Sequence, residues 1–480
     1  MASQTTLEKK IVELQSYINT KQTPQSSRPK IQRVPGYLRK SKNYEMHYAP
    51  KLVSIGPIHH DNTNLKSGEK YKLMWAAKYI KNTGSILEEL HKKIADNIDE
   101  LKCHFSDDVL TLTGKSLQGF GSLEEKLSWM LFVDGCSLLH ILDNIVHAGP
   151  INIKLDQLDL VIMDVLLLEN QLPYEVLKLL WKDNNESELI ICMWKFLSHR
   201  HLDTPDESES KKEKNGVPNR KGEGQYSVSI PLRNESQSET PTHLLDLQRK
   251  YILITSNSKI KSNEAIIMNM KLSHKLLQII KIWSQKLLQQ IKKWSEKNSE
   301  ENIPLITYRS IQDLRAVGIR LKSSKTQRPT EIDFSAGWFA AKLTLPRIRV
   351  DNTTAATFLN QIAYEICPDF DNDYEICSFS AFLASLIDRP EDVKELRSKG
   401  ILLNLLGSDE EVVNLFNIIS TNVVHYGKTF YEVRRKIHEH YSNKYKTWIA
   451  QGFHTYFSNP WAITAFLAAF IALALTFIQT

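Results

Sequence analysis

His59, His60 and Asp61 stand side by side. Two imidazoles beside a carboxylate are what acyl transfer or metal ligation would use. An acyltransferase of the HHxxxD type needs aspartate at position 64, where Asn64 stands. A metal site needs a third ligand at useful spacing, and the surrounding sequence supplies none. The expectation is a loop whose imidazoles satisfy nearby backbone groups. His438 and His440 are two apart on an expected helix, so they face different ways and make a poor pair of ligands. Asp134 sits inside an apolar run beside Gly135, which suggests a kink where the carboxylate meets freed backbone N–H groups. Glu169, Asn170 and Gln171 read as a polar cap where one helix ends and Pro173 starts the next. None of GxGxxG, GxxxxGKS/T, GxSxG or HExxH occurs, so no phosphate cradle, nucleophile elbow or zinc helix is indicated. The sequence therefore predicts a protein that is not an enzyme, with no catalytic, cofactor-binding or metal-binding residue.

Composition narrows the classes further. The chain has 480 residues, 42% hydrophobic and 24% charged, close to a soluble globular protein. Sixty-one Lys and Arg against 55 Asp and Glu give +6, too mild an excess for a dedicated nucleic-acid binder. Five cysteines, spread from Cys103 to Cys377, are too few for a disulfide framework and point to a reducing compartment.

The two ends differ. Near the N-terminus Leu7, Ile11, Leu14 and Ile18 recur at helical spacing, which predicts a short amphipathic helix and a polar linker within 1–30, without a signal-peptide run. Near the C-terminus, Trp461 to Ile478 is eighteen residues without a charge. Such a helix is ~27 Å long, close to the ~30 Å of a hydrocarbon core. Its apolar anchors are Phe466, Leu467, Phe470, Ile471, Leu473, Leu475, Phe477 and Ile478, with Trp461 at the interface. The expectation is one C-terminal membrane anchor within 457–480, with the lipid bilayer as its partner. Arg434, Arg435, Lys436, Lys444 and Lys446 precede the run, so the positive-inside bias places the bulk of the chain in the cytosol. Sequons at Asn185, Asn234 and Asn352 would matter as glycosylation acceptors only in a non-cytosolic domain.

The body, 31–456, reads as one large domain. Residues 31–57 carry Pro35, Gly36, Pro50, Gly56 and Pro57 and are expected to be mostly extended. Periodicity predicts helices at 65–79, 86–101, 123–145, 155–168, 173–181, 189–197 and 243–254, with an interruption at Asp134-Gly135. Residues 203–241 are polar and poor in apolar side chains, as expected of a disordered insertion. Residues 264–297 predict one long amphipathic helix or two, with Trp283 and Trp294, eleven apart, sharing a face. Alternation at 331–334, 339–345 and 347–350 predicts a small antiparallel sheet. Further helices are expected at 310–316, 352–366, 379–386, 391–399, from the Ser408 capping box to about 419, and from 431 to 456. The fold class is α+β, mainly α.

Several stretches together look familiar: IQRVPGYLRKSKNYEMHYAPKLVSIGPIHH (31–60), KLSWMLFVDGCSLLHIL (126–142), DVLLLENQLPYEVLKLL (164–180), HLLDLQRKY (243–251), the run 332–365 and the run 388–417. In this order they resemble the plant family known as domain of unknown function 247. The resemblance covers roughly 31–478. It implies no established enzyme activity. It implies instead a membrane-anchored plant recognition or interaction protein. Some grass members resemble pollen-side determinants of gametophytic self-incompatibility, and the polar insertion would suit a variable recognition surface. A secreted or pollen/stigma signalling protein is the partner this suggests, in tension with a cytosolic domain. The alternatives are a membrane-tethered enzyme of unknown chemistry and a structural or stress-related membrane protein.

Overall fold

The computed structural model describes residues 6–19, 29–182, 185–200, 240–254, 310–324, 331–336, 341–370, 373–421 and 430–442. The expected membrane anchor at 457–480, the helix at 264–297, Asn234 and residues 203–239 of the insertion lie outside them. Backbone contacts divide the chain into two compact units, each assembled from separate stretches of sequence.

The first unit contains 1–220, 235–251 and 353–377. Its helices are α1 (Thr6–Asn19), α2 (Gly36–Arg39), α3 (Tyr44–His47), α4 (Lys66–Thr83), α5 (Leu87–Asp96), α6 (Ile98–Lys102), α7 (Asp107–Gly114), α8 (Leu123–Val146), α9 (Leu155–Asp164), α10 (Tyr174–Leu180), α11 (Glu186–Arg200) and α12 (Leu244–Ile254). Its core is built around α8. Ser122 starts that helix: its hydroxyl accepts from Glu125 N–H at 3.1 Å, and the Glu125 carboxylate accepts from Gly121 N–H at 2.7 Å. From Lys126 to Leu142 every residue but Trp129 is buried, against α4, α5, α10 and α11. Burial of each large apolar side chain there contributes about 1.5–3 kcal/mol.

Among the described residues, α8 is the one helix long and apolar enough to cross a bilayer, yet 72% of its apolar window is buried inside the protein. It is a core helix. The expected interruption at Asp134-Gly135 does not occur, for α8 is continuous. Gly135 serves packing: a Cβ there would collide with Leu180 Cδ1 and come 3.0 Å from Val176 Cγ1. The glycine lets α10 lie against α8. The predicted core residues Leu131, Phe132, Leu138, Leu139, Leu166, Leu167 and Leu168 are all buried. The expected extended segment 31–57 is instead broken by the two one-turn helices α2 and α3.

The second unit contains 221–234, 252–352 and 378–480. Helix α13 (Ile311–Ala316) leads into β1 (Ile319–Ser323), followed by β2 (Asp333–Ala336), β3 (Ala341–Leu345) and β4 (Ile348–Val350). The sheet order is β1-β3-β2, with β1 parallel and β2 antiparallel to β3. The expected antiparallel sheet is therefore mixed: alternation reports which face is buried and says nothing of a neighbour's direction. Helix α14 (Thr354–Glu365) belongs to the first unit, and α15 (Glu375–Ala384) starts at the end of that unit's last segment. Then come α16 (Pro390–Ser398), β5 (Leu402–Asn404), α17 (Asp409–Ser420) and α18 (Tyr431–Ser442). Strand β5 pairs in parallel with β4, a second small sheet that the alternation did not reveal.

Candidate functional site

Residues 51–56 run as a strap with no strand partner among the described residues. Backbone donors buried this way must find acceptors, and side chains provide them. Asp164, at the end of α9, accepts from Lys51 N–H at 2.8 Å, Leu52 N–H at 2.7 Å and Val53 N–H at 2.9 Å. Asn170 accepts from Ile55 N–H at 2.7 Å and donates to Val53 O at 3.1 Å. Asp134, from the middle of α8, accepts from Gly56 N–H at 2.8 Å. Gly56 has φ +80°, and a Cβ there would sit 2.5 Å from Gln171 O, so only glycine fits the turn.

Beyond the strap lies the His59-His60-Asp61 triplet. His59 Nε2 lies 3.0 Å from Glu169 Oε2. Glu169 also accepts from Tyr44 OH at 2.5 Å and Val34 N–H at 2.8 Å, with Arg33 Nε 3.8 Å away. Asp61 accepts from Lys126 Nζ at 3.1 Å and Gln118 Nε2 at 2.7 Å. His59 and Asp61 thus engage different partners and do not converge on one point. Behind the strap, the buried Lys72 ammonium lies 2.6 Å from Asp134 and 2.9 Å from Glu69, while Ser54 donates to Glu69 at 3.1 Å.

The charges follow from these contacts. Burial alone would raise the Glu169 carboxyl, but the His59 and Tyr44 contacts and the Val34 N–H outweigh it and hold the carboxyl below its ordinary range. Burial pushes Asp164 up to about 6, against the pull of its three backbone donors. Burial disfavours the Lys72 cation, and Asp134 and Glu69 more than offset this, so Lys72 keeps its proton.

Asn170 and Gln171 cap the helix junction as the sequence suggested: Asn170 donates to Asp164 O at 2.9 Å and Gln171 to Val165 O at 2.9 Å. They also reach far along the chain. Gln171 Oε1 accepts from Leu245 N–H at 2.9 Å, starting α12. Asn360, on α14, accepts from Leu168 N–H and donates to His47 O, both at 2.8 Å. Sequence reasoning missed Lys72, Tyr44, Arg33, Asn360 and the buried Arg249–Glu365 pair at 2.8 Å. For Lys72 a signal existed. It shares the spacing of Leu65, Gly68, Trp75, Ala76 and Tyr79, the buried positions of this stretch, and a lone lysine there demands a buried counter-charge. His440, half of the poor ligand pair, is buried with Nε2 3.1 Å from Val317 O.

The segments that the strap network draws together lie within the match to one plant family. The model of a family described as plant protein of unknown function (DUF247) matches residues 31–475. The chain belongs to this family. Two relatives come from Arabidopsis thaliana. The UPF0481 protein At3g47200 is 26% identical over 450 residues, covering 90% of this chain and 82% of the relative. The putative UPF0481 protein At3g02645 is 24% identical over 477 residues, covering 90% and 86%. No solved structure matches.

In this DUF247 chain two cavities lie apart from the strap. The first unit has a pocket of about 10 Å³ among Met163, Leu166, Leu167 and Thr353, room for about one water. The second unit has an open cleft of about 370 Å³ lined by Lys394, Arg397, Asn404, Leu406, Ser408 and Glu410, where Arg397 is engaged by Asp409 at 2.8 and 2.9 Å. Among the described residues, no cluster of three or more His, Cys, Asp and Glu forms a metal-binding group. Cys136, Cys192, Cys367 and Cys377 are buried and outside any disulfide, and burial pushes Cys136 up to about 12. Asn185 and Asn352 are exposed.

Proposed function

We propose that this DUF247 protein is a non-enzymatic, membrane-anchored recognition protein that acts by surface complementarity. One observation carries the reading. The polar side chains of its most distinctive motifs, Asp134 and Glu169-Asn170-Gln171, are occupied with backbone groups of the same unit. They build a scaffold, and recognition is then the work of the surface the scaffold supports. The anchor rests on the uncharged run 461–478, and the bulk of the chain is assigned to the cytosolic side by the cations before it. The sharper form of the proposal is pollen-side self-recognition, in which the polar segment 203–241 carries the allelic differences and a pollen/stigma signalling protein is the partner.

Two experiments test this. Deleting Trp461–Thr480 should move the protein from the carbonate-resistant membrane fraction to the soluble fraction; a deletion variant that stays in the membrane would remove the anchor. Pollen in which 203–241 is exchanged for the segment of another allele should change the class of stigma that rejects it. Unchanged rejection would remove self-recognition and leave the broader reading. Turnover of a substrate abolished by His59→Ala and His60→Ala, with the fold intact, would favour a tethered enzyme instead.

A further inference from the structure

The sheet of the second unit has two unlike faces. Ile319, Leu321, Phe334, Ala341, Leu343 and Leu345 point inward and are buried. On the outward face the register sets Arg320 beside Lys342 and then Ser335, with Lys322 beside Thr344 and then Asp333. Arg320, Lys322 and Lys342 are exposed, and none of the three has an ion-pair partner among the described residues. Adjacent strands are about 4.8 Å apart, so Arg320 and Lys342 are direct neighbours, while Asp333 is two spacings from Lys322. Like charges directly opposite each other destabilise a sheet. Asp333 lies diagonal to Lys342 and offsets the repulsion only in part, so three cations against one carboxylate leave an excess of positive charge that a ligand of opposite charge would meet.

We infer that this face is a docking platform for the anionic headgroups of a bilayer. The inference rests on the anchored reading above. Helix α18 packs on β2 of this sheet, with Phe334 against His440 at 5.9 Å between ring centroids. Residues 443–460 separate its end at Ser442 from the uncharged run. Those eighteen residues reach at most about 60 Å, so an inserted anchor keeps the platform beside the membrane at high effective concentration. Among the described residues this face carries no exposed aromatic residue to stack a nucleobase, as a single-stranded nucleic-acid platform would. The cytosolic leaflet, the side assigned by the flanking cations, is also the anionic one.

The test uses the full-length chain in nanodiscs of phosphatidylcholine alone or with 30 mol% (about one lipid in three) phosphatidylserine, and reads the acetylation rates of Lys322 and Lys342 by mass spectrometry. With phosphatidylserine both lysines should react at least about fivefold more slowly, since each cation at such a surface is held by about that factor, and 0.5 M salt (a Debye length of about 4 Å) should abolish the difference. The variant Arg320→Glu with Lys342→Glu, changed only on the outward face, should lose the protection at Lys322. Equal rates in the two discs would overturn the inference. So would protection indifferent to lipid and salt, which would indicate a protein covering the face. Anchor failure reads separately, as absence of salt-resistant co-elution with either disc; salt-reversible binding to the anionic discs alone would then still support the platform.

Discussion

Asp164 shows how much one side chain can organise. Three consecutive backbone donors converge on its carboxylate. Asp164→Ala leaves the Leu52 and Val53 donors buried without an acceptor, at about 1–3 kcal/mol each. Equilibrium urea unfolding should show a loss of at least about 2 kcal/mol; a loss near 0.5 kcal/mol would mean that the strap finds other acceptors. His243 offers a pH readout. It is buried, its Nδ1 accepts from Asp246 N–H at 3.1 Å, and burial lowers its pKa from 6.5 to about 4. Protonation therefore favours the unfolded chain: this contribution to stability is full above about pH 6.5 and is lost as pH falls towards 4. Asp164, raised to about 6, works in the opposite sense over much of the same window. The comparison that isolates His243 is with His243→Asn, which keeps an acceptor. Between pH 7 and pH 5 the parent should lose about 2 kcal/mol relative to the variant. No relative change would show that the imidazole reaches solvent. Asp134 was legible as a buried carboxylate because it interrupts an apolar run, and Glu169 as part of a polar cap at a helix junction. Their partners were not, since Gly56 and Val34 lie 78 and 135 residues away and no local pattern encodes that pairing.

The helices were the legible part of the fold. Apolar spacing anticipated α8 almost to its ends, and Ser122 and Ser408 are working caps, each accepting from the residue three positions on. What spacing could not show was why Gly135 stands in the middle of α8. The expectation of a kink treated glycine as a weak point of its own helix, whereas it is the contact point for α10. Gly135→Ala should overpack this crossing at about 1–3 kcal/mol. Adding Leu180→Ala removes the colliding methyl groups. A double-mutant cycle should then show favourable coupling between the two changes; strict additivity would place the cause elsewhere. The strands were less legible. Three residues of β5 are too few to show alternation, and the parallel partner of β3 depends on chain routing that local sequence does not report.

At the scale of the molecule, the polar network of the first unit ties together segments that are distant in the chain. Asn360 holds Leu168 and His47, Gln361 donates to Leu245 O at 3.1 Å, and Glu365 accepts from Arg249 and from Ile376 N–H at 2.9 Å. The sequence suggested a large helical body, since periodicity runs almost throughout it. The return of 353–377 to the earlier stretches had no local signature, because an ordinary amphipathic helix looks the same whichever core it joins.

That return sets a timetable for synthesis. A ribosome delivers Tyr251 and then makes more than a hundred further residues before Cys377 emerges, a delay of roughly 6–25 s at ordinary elongation rates. Throughout it, the nascent first unit lacks α14, and the surfaces that helix covers stay open to chaperones and proteases. Nascent chains arrested with Tyr251 just outside the exit tunnel should be cut readily within 31–200 by a low dose of protease. Chains arrested with Cys377 outside should resist. Equal resistance at both lengths would mean that the early stretches close on their own. Translation speed across 252–352 then becomes a determinant of yield for this protein, and slow codons there would lengthen the vulnerable interval without changing a single residue of the finished chain.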